Sequence, residues 1–565
     1  MQQTPHQSLR SGTGHACTEC SAPYDIPEDE STFHAEMGVP PPKQCPHCRF
    51  VRRLVERNAR NLHRRKCDLT GKEFLSPYSD VPFPVYQPDE WFTDKWDECD
   101  YGKEIDWNRP FFEQLEELFN TVPRMGQVIC PGTLENCEYT NCIGYCKDCY
   151  LTAEADYNEK VMYSNRVFHN LSLVDCSTAY ECELCYECIN SVKCHSCRHC
   201  IDCENCSDSF FLKNCNGCRD CIGCINQRQK RFCIFNEQLT KEDYEKRKAE
   251  MNIHGYAGVQ ALKKQAMDFW LTQPQRYVQM EQVQNCTGDH LYDSKNAQFC
   301  VDCKDLEDCK YCARVFSVKS AMDYTSWGDR SEKIYQTASS GDNGYNLKFC
   351  TTCTTNNSDL EYCGHTTGCK HCFGCVGARK KEYCILNKKY AKEEYEQLRE
   401  KLIEHMKGTG EWGEFFPKSF CAFGYNETIA AEYFPLTKEE TLAKGYKWKE
   451  ITDEILQVEK VIPADRLPDT INDVPDDIIN WAITCEVSKR PFRIIKQELE
   501  FYRQLSIPIP HLHPDERHQN RMALMPSRFF HDRKCNKCSK PILTVFAPED
   551  PEIVYCEECY LATVY

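Results

Sequence analysis

Eight cysteines near the two ends of the chain have the spacing of metal ligands. The N-terminal set is Cys17, Cys20, Cys45 and Cys48, and the C-terminal set is Cys535, Cys538, Cys556 and Cys559. Each set consists of two Cys-x2-Cys pairs, and four thiolates presented in this way suit the tetrahedral coordination of Zn²⁺. In a short segment with little apolar core, folding depends on the metal. The sequence therefore predicts two structural zinc ions, with unligated thiols as the alternative.

A cysteine at every third position marks the region 137–236. This region contains 18 cysteines, of which 17 share one three-residue frame. Neither the helical period of 3.6 nor the strand period of 2.0 fits this spacing. A second, twelve-residue period runs through the region, for example from Tyr150 to Met162 and Val174. Together the two periods predict a narrow β-solenoid with about 12 residues per coil, inward-pointing cysteines and coils stacked about 4.8 Å apart.

The same pattern recurs later in the chain. CRDCIGCINQRQKRFCIFN at 218–236 aligns with CKHCFGCVGARKKEYCILN at 369–387 at an offset of 151, whereas Tyr163 aligns with Tyr311 at an offset of 148. A local insertion explains the difference between the offsets, and it also explains why Cys350 and Cys353 leave the frame. The sequence thus predicts two solenoids, each closed by a helix that protects its last coil, the first of these helices lying within 240–271.

The predicted coil geometry resembles the twelve-residue coils of the beetle antifreeze β-helices, which also turn every third residue inward. The outward Thr-x-Thr ladder of those proteins is absent from this sequence. The resemblance therefore covers geometry only, and ice binding is not implied.

The most basic run of the chain follows the N-terminal cysteines. Its arginines include Arg49, Arg53, Arg57, Arg60, Arg64 and Arg65. On one helix most of them share a face, which predicts contact with the phosphates of a nucleic acid such as RNA. Two alternatives remain open at this stage, namely pairing with the acidic, aromatic-rich segment 89–117 and a solvated face. Within that segment, Asn108, Arg109 and Pro110 predict the start of a helix.

The C-terminal region duplicates the N-terminal one. Matched positions include Arg49 with Arg517, Arg53 with Arg521, Arg60 with Arg528 and Arg65 with Arg533. The second copy carries Cys485, Ser488, His513 and Glu516 where the first has its opening four cysteines, so we predict no metal there. Basic residues retained without the metal ligands predict a contact outside the ribbon.

Composition limits the class of protein. The chain has 565 residues, a formal net charge of −17 and 43 cysteines. It shows neither a membrane-spanning apolar run nor a signal-peptide core, which predicts a cytoplasmic protein whose thiols stay reduced. No catalytic motif is recognisable. We therefore expect a non-enzymatic zinc-binding scaffold with RNA or a protein as partner, the alternatives being an Fe–S or redox protein and a metal-storage protein.

Several motifs resemble a family of uncharacterised Cys-rich zinc-ribbon proteins of candidate-phyla bacteria. They are CPHCRFVRRLVERN, RKCDLTGKEF, PFPVYQPDEWFTDKWD, FGYNETIAAEYFPL and the closing YCEECY. The resemblance spans most of the chain and implies zinc ribbons but no assigned activity. It also leaves a third metal site in doubt, because His513 and Glu516 stand where the family carries a second CPxC pair.

The expected fold class is multi-domain and mainly β, with two Cys-lined β-solenoids between terminal zinc-ribbon modules. The expected boundaries are a zinc ribbon with a basic helix at 1–75, an aromatic and acidic collar at 76–130, solenoids at 131–236 and 285–388, capping helices at 237–284, a capping helix and linker at 389–470, and a second ribbon unit at 471–565.

Overall fold

The computed structural model describes residues 14–174, 179–180, 183–185, 188–189, 191–192, 201, 203–326, 328, 331–333, 335–340, 348–353, 356–450 and 456–564. Short β-strands make up most of the regular elements within these ranges. The expectation of a mainly β protein is confirmed for this part of the chain.

Short strands of the first Cys-rich region pair in parallel. One sheet joins Asn141–Gly144, Ala153–Asp156, Asn165–Phe168, Ala179–Tyr180, Ser191–Val192, Cys203–Glu204 and Cys215–Asn216. A second joins Leu134–Glu135, Cys146–Lys147, Glu159–Met162, Leu171–Val174 and Glu183–Cys185, and a third joins Arg219–Ile222, Arg231–Ile234 and the antiparallel Glu237–Gln238. Parallel partners such as Ala155 and Val167 are related by the expected twelve-residue period. We call these strands the first array.

A second array repeats the arrangement. Its strands are Met280–Glu281, Thr287–Tyr292, Gln298–Glu307, Phe316–Lys319, Ser331–Glu332, Ala338–Ser340, Thr351–Cys353, Ser358–Glu361, Lys370–Phe373, Glu382–Ile385 and the antiparallel Lys388–Lys389. The pairing keeps the twelve-residue period from Leu360 to Cys372. It becomes one residue longer in each of three successive steps, from Met322 to Tyr335, Lys348 and Glu361. The expected insertion is therefore spread over three steps instead of lying at one point.

Left-handed backbone recurs at every third residue of both arrays. Tyr145, Asp148, Leu151 and Glu154 have φ values of 52°, 52°, 47° and 53°, and each precedes an inward-facing residue. This conformation costs an L-residue roughly 1–2 kcal/mol, and Asn and Asp tolerate it better than most residues. Four such corners in each twelve-residue step change the direction of the chain at regular intervals.

Helices cover the end of each array. Lys241–Glu250 and Tyr256–Leu271 follow the first array, so the helical stretch expected at 240–271 is broken near Gly255, and Lys392–Thr409 follows the second. Tyr244 and Trp270 of the first pair pack on an apolar column that includes Phe210 and Ile222. The helices therefore bury the apolar face at the end of the array.

Four β-hairpins at the chain ends share one geometry. They are His15–Ala16 with Pro23–Tyr24, His63–Lys66 with Glu73–Ser76, Trp481–Thr484 with Pro491–Phe492, and His531–Lys534 with Pro541–Thr544. Strand Lys460–Pro463 extends the third hairpin, Val85–Tyr86 pairs with Arg124–Met125, and Ile553–Tyr555 pairs with Pro274–Arg276. The associated helices are Glu28–Glu36, Pro46–Val55, Pro88–Trp91, Phe111–Phe119, Ile429–Tyr433, Lys438–Ala443, Lys496–Leu505, Pro514–Met522 and Glu557–Val564.

The two arrays contact each other through exchanged ion pairs. Glu154 of the first array accepts from Arg314 of the second, and Asp302 of the second lies 3.3 Å from Arg166 of the first. The two pairs are equivalent, because the offset of 148 relates Glu154 to Asp302 and Arg166 to Arg314. The contact is therefore built like the self-complementary interface of a twofold dimer, although it lies within one chain.

The aromatic and acidic collar contacts several parts of the protein. The predicted helix is present at Phe111–Phe119, and its Leu115 and Leu118 are buried. The Phe111 ring lies 5.2 Å from that of Phe373 of the second array. Phe83 shares an apolar cluster with Leu54 of the basic helix and Ala153 of the first array. The collar therefore contacts the N-terminal module and both arrays.

Candidate metal centres

The four N-terminal cysteines converge on one point. Their Sγ atoms all lie within 4.8 Å of one another, close enough to hold one metal ion. Cys17 and Cys20 belong to the first hairpin turn, while Cys45 is the N-cap of helix Pro46–Val55 and Cys48 lies in its first turn. Hydrogen bonds from the Cys45 and Cys48 thiols lower the pKa of Cys17. Cys17 is therefore favoured as the thiolate, the form that binds metal, whereas the hydrogen bonds to Cys17 raise the pKa of Cys45 and of Cys48.

The C-terminal set has the same form. The Sγ atoms of Cys535, Cys538, Cys556 and Cys559 also lie within 4.8 Å of one another, and those of Cys538 and Cys556 are 3.7 Å apart. Burial acts to raise the pKa of Cys535, but hydrogen bonds from the backbone N–H groups of Cys538 and Cys556 outweigh burial, and the pKa is lowered to about 6. A metal can thus join the fourth hairpin to helix Glu557–Val564.

The other two hairpins keep the turn without four ligands. Cys67 and Cys485 are buried, and each Sγ accepts a backbone N–H, from Gln87 at 3.4 Å and from His513 at 3.3 Å. In the part of the chain that the structure describes, only the two sets above bring three or more candidate ligands together. Near Cys67, Trp91 occupies the position that matches Cys559 and is buried.

Interior cysteines of the arrays act as hydrogen-bond donors. Cys221 donates to the carbonyls of Arg219 and Lys230 at 3.3 and 3.6 Å, the residues two before and nine after it. Thr152, at an equivalent inward position, uses its hydroxyl in the same way. A donating S–H is a protonated thiol. The interior cysteines therefore pack as small apolar residues with one weak donor.

This arrangement predicts a sharp difference in reactivity between cysteines. Cys130 is exposed and belongs to neither metal set, whereas Cys221 and Cys372 are fully buried. We expect iodoacetamide to modify Cys221 and Cys372 about 100-fold or more slowly than Cys130 in the native protein, because modification requires local opening. Peptide mass spectrometry after timed alkylation measures the ratio. Similar rates for all three would mean that the array cysteines do not face inward.

The arginines at the centre of the basic run, for which a nucleic-acid contact was predicted, are buried and paired within the protein. Arg49 and Arg53 are fully buried and both face Asp323 of the second array, at 2.6 and 3.2 Å. Arg49 also lies 3.2 Å from Glu30. Arg57 pairs with buried Glu154 of the first array. These guanidinium groups cannot reach an external phosphate, because intramolecular carboxylates already occupy them.

The remaining arginines of the run do not share a helical face. The helix ends at Val55, and Arg64 and Arg65 lie on strand His63–Lys66, because the chain must begin the next hairpin there. Arg60 lies 3.6 Å from Asp515, and Arg65 lies 2.8 Å from Asp68. Arg64 is exposed and donates to the Tyr139 hydroxyl.

Internal pairing of the basic run was the correct alternative, but its partner was not the segment 89–117. Acids of that segment pair with the second array instead, as Glu98 does with Arg379 at 3.0 Å. The residues that sequence reasoning missed are Asp323, Glu154 and Asp302. The offset of 148 that relates Glu154 to Asp302 was a signal that could have identified those two.

Within the described residues no helix is both long enough and apolar enough to cross a bilayer. Comparison of the chain with protein-family models, with curated proteins and with solved structures found no match.

Proposed function

We propose that the protein is a non-enzymatic, zinc-binding scaffold in which two narrow β-solenoids are held together by zinc-ribbon modules at both chain ends. The observation that carries the proposal is the convergence of two four-cysteine sets, one in each terminal module. Four Cys ligands with no open position are typical of structural rather than catalytic zinc.

The register of the arrays supports the solenoid part of the proposal. Parallel pairing at the twelve-residue period, with a left-handed corner before each inward residue, repeats over many strands. Stacked rings on the outside report the rise between coils, since Tyr145, Tyr157 and His169 succeed one another at 4.7 and 4.8 Å. This distance matches the spacing of paired strands.

The interior thiols favour the scaffold over an Fe–S or metal-storage protein. Thiolates are the form that binds iron or zinc, whereas Cys221, Cys300 and Cys372 each donate an S–H hydrogen bond to a backbone carbonyl. Loading the interior with metal would require loss of these bonds and burial of several negative charges, which is costly.

Metal analysis of the purified protein tests the proposal. We expect two zinc ions per chain and no visible colour, and we expect Cys45→Ala and Cys538→Ala each to lose one zinc ion, because each removes a ligand from a different set. Cys67→Ala is the matched control and should retain both, since its hairpin lacks the other ligands. A brown protein with several iron ions would refute the scaffold, and loss of both zinc ions from one substitution would indicate a shared cluster.

A further inference from the structure

The N-terminal metal set lies beside the contact that holds its module on the second array. Cys45 and Cys48 form the first turn of helix Pro46–Val55, and the backbone N–H of Arg49 donates to the Cys45 carbonyl at 3.0 Å. Arg49 then reaches Asp323 and Glu30 with a fully buried guanidinium. Tyr311 of the second array donates to Glu30 at 3.4 Å. We call this contact of Arg49 with Glu30 and Asp323 the N-terminal clamp. The clamp arginine and two of the metal ligands therefore lie in one helical turn.

The C-terminal unit builds the same clamp on the first array. Arg517 lies 3.5 Å from Glu498, and its guanidinium carbon lies 4.3 Å from the ring centre of Tyr163. The Tyr163 hydroxyl donates to Glu498 at 2.6 Å. Arg517 and Glu498 match Arg49 and Glu30 at a sequence offset of 468, and Tyr163 matches Tyr311. Each terminal unit thus clamps the array that is more distant from it in the sequence.

The two clamps differ in what supports them. In the C-terminal clamp, Tyr502 donates to Glu498 at 2.6 Å and accepts from Arg517 at 3.2 Å. His34 occupies the matching place in the N-terminal clamp, where it is buried and neither ring nitrogen has a hydrogen-bond partner. The C-terminal clamp replaces the metal by a network of side-chain hydrogen bonds. The N-terminal clamp keeps four cysteines and lacks that network.

The apolar clusters next to the two clamps also differ in size. The cluster at the N-terminal set consists of three of its four cysteines with Tyr24, and Ile26 packs at its edge. The cluster at the counterpart is much larger and runs from the third hairpin and helix Lys496–Leu505 into Tyr163 and Val174 of the first array. The N-terminal segment also packs through Met37 and Val39 and through Leu54 and Val55 at the far end of helix Pro46–Val55, but around the four cysteines it has little apolar core besides the metal site.

We propose that zinc at the N-terminal set controls the docking of helix Pro46–Val55 on the second array, while the counterpart unit holds the first array without metal. The protein then has one metal-dependent clamp and one permanent clamp. Removal of zinc releases Arg49 and Arg53 from Asp323 and leaves Arg517 in place. Cys20 is exposed, which opens this set to chelators. The inference rests on the proposed zinc binding and adds its regulatory consequence.

Hydrogen exchange of the full-length protein, combined with metal analysis, tests the inference. Cys17→Ser removes one ligand of the N-terminal set. We expect it to lose one of two zinc ions and to speed amide exchange about tenfold or more in residues 46–55 and 323–326, with no change in residues 514–522. Cys538→Ser should lose the other zinc ion and leave residues 46–55 protected. Cys485→Ser, at the counterpart position, should retain both zinc ions.

Chelation of zinc from the parent protein, followed by its return, gives the same comparison without a substitution and covers the case in which Cys17→Ser does not fold. Loss of one zinc ion with residues 46–55 and 323–326 still protected would overturn the inference while leaving the scaffold proposal intact. Absence of zinc from the N-terminal set of the parent protein would overturn both.

Discussion

Replacement of Asp323 by Ala is expected to lower the free energy of unfolding by about 3–5 kcal/mol, because it leaves two buried guanidinium groups without their carboxylate. Asp323 is fully buried, and its two oxygens face Arg49 at 2.6 Å and Arg53 at 3.2 Å. Only Glu30 would remain to offset the charge of Arg49, and Arg53 would keep one neutral partner, Thr325. Urea unfolding followed by circular dichroism measures the loss.

Asp308→Ala is the matched control, since Asp308 also occupies a left-handed corner of the second array but is exposed. It should change the stability by no more than about 0.5 kcal/mol. Equal losses for the two variants would mean that the corner, not the buried charge pair, requires the aspartate.

The loss of stability caused by Asp323→Ala should depend on pH. Burial raises the pKa of Asp323, but Arg49 and Arg53 outweigh it and hold the pKa below its ordinary value. A carboxylate with a lowered pKa stabilises the fold above the pKa of the unfolded chain, which is about 3.9, and this contribution is lost as the pH falls further. The difference between the parent and Asp323→Ala should therefore shrink below about pH 4.

Cys221→Arg should unfold the first array, because an unpaired charge in its interior costs several kcal/mol and the narrow space leaves no room for hydration. Cys221 is fully buried among other inward cysteines, including Cys218, Cys224 and Cys233. We expect loss of amide protection across residues 203–234. Hydrogen exchange separates this local effect from the second array, which should remain protected.

Two variants of the same array serve as controls. Cys221→Ser retains a donor for the carbonyls of Arg219 and Lys230, and we expect the array to stay folded. Gln229→Arg places the same charge at an exposed left-handed corner and should be tolerated. An array that remains folded with Arg at position 221 would refute the inward orientation of this column.

The sequence alone determined the features that depend on local spacing. Two Cys-x2-Cys pairs with one intervening segment were sufficient to predict the four-cysteine sets, because a hairpin turn or a helical turn fixes the distance between the two members of a pair. The twelve-residue period could also be recognised from the sequence, because each inward position repeats at a constant separation along the chain.

Tertiary structure decided which charges meet. Arg49 and Asp323 lie in different modules far apart in the sequence, and no periodicity connects a basic helix in one module to a corner in a distant array. An exposed arginine and a buried one look alike in sequence, so the basic run predicted a phosphate contact where the fold provides Asp323 and Glu154. The docking of each terminal unit on the array more distant in sequence was also beyond prediction, because it depends on which apolar and charged surfaces come together after both arrays have formed.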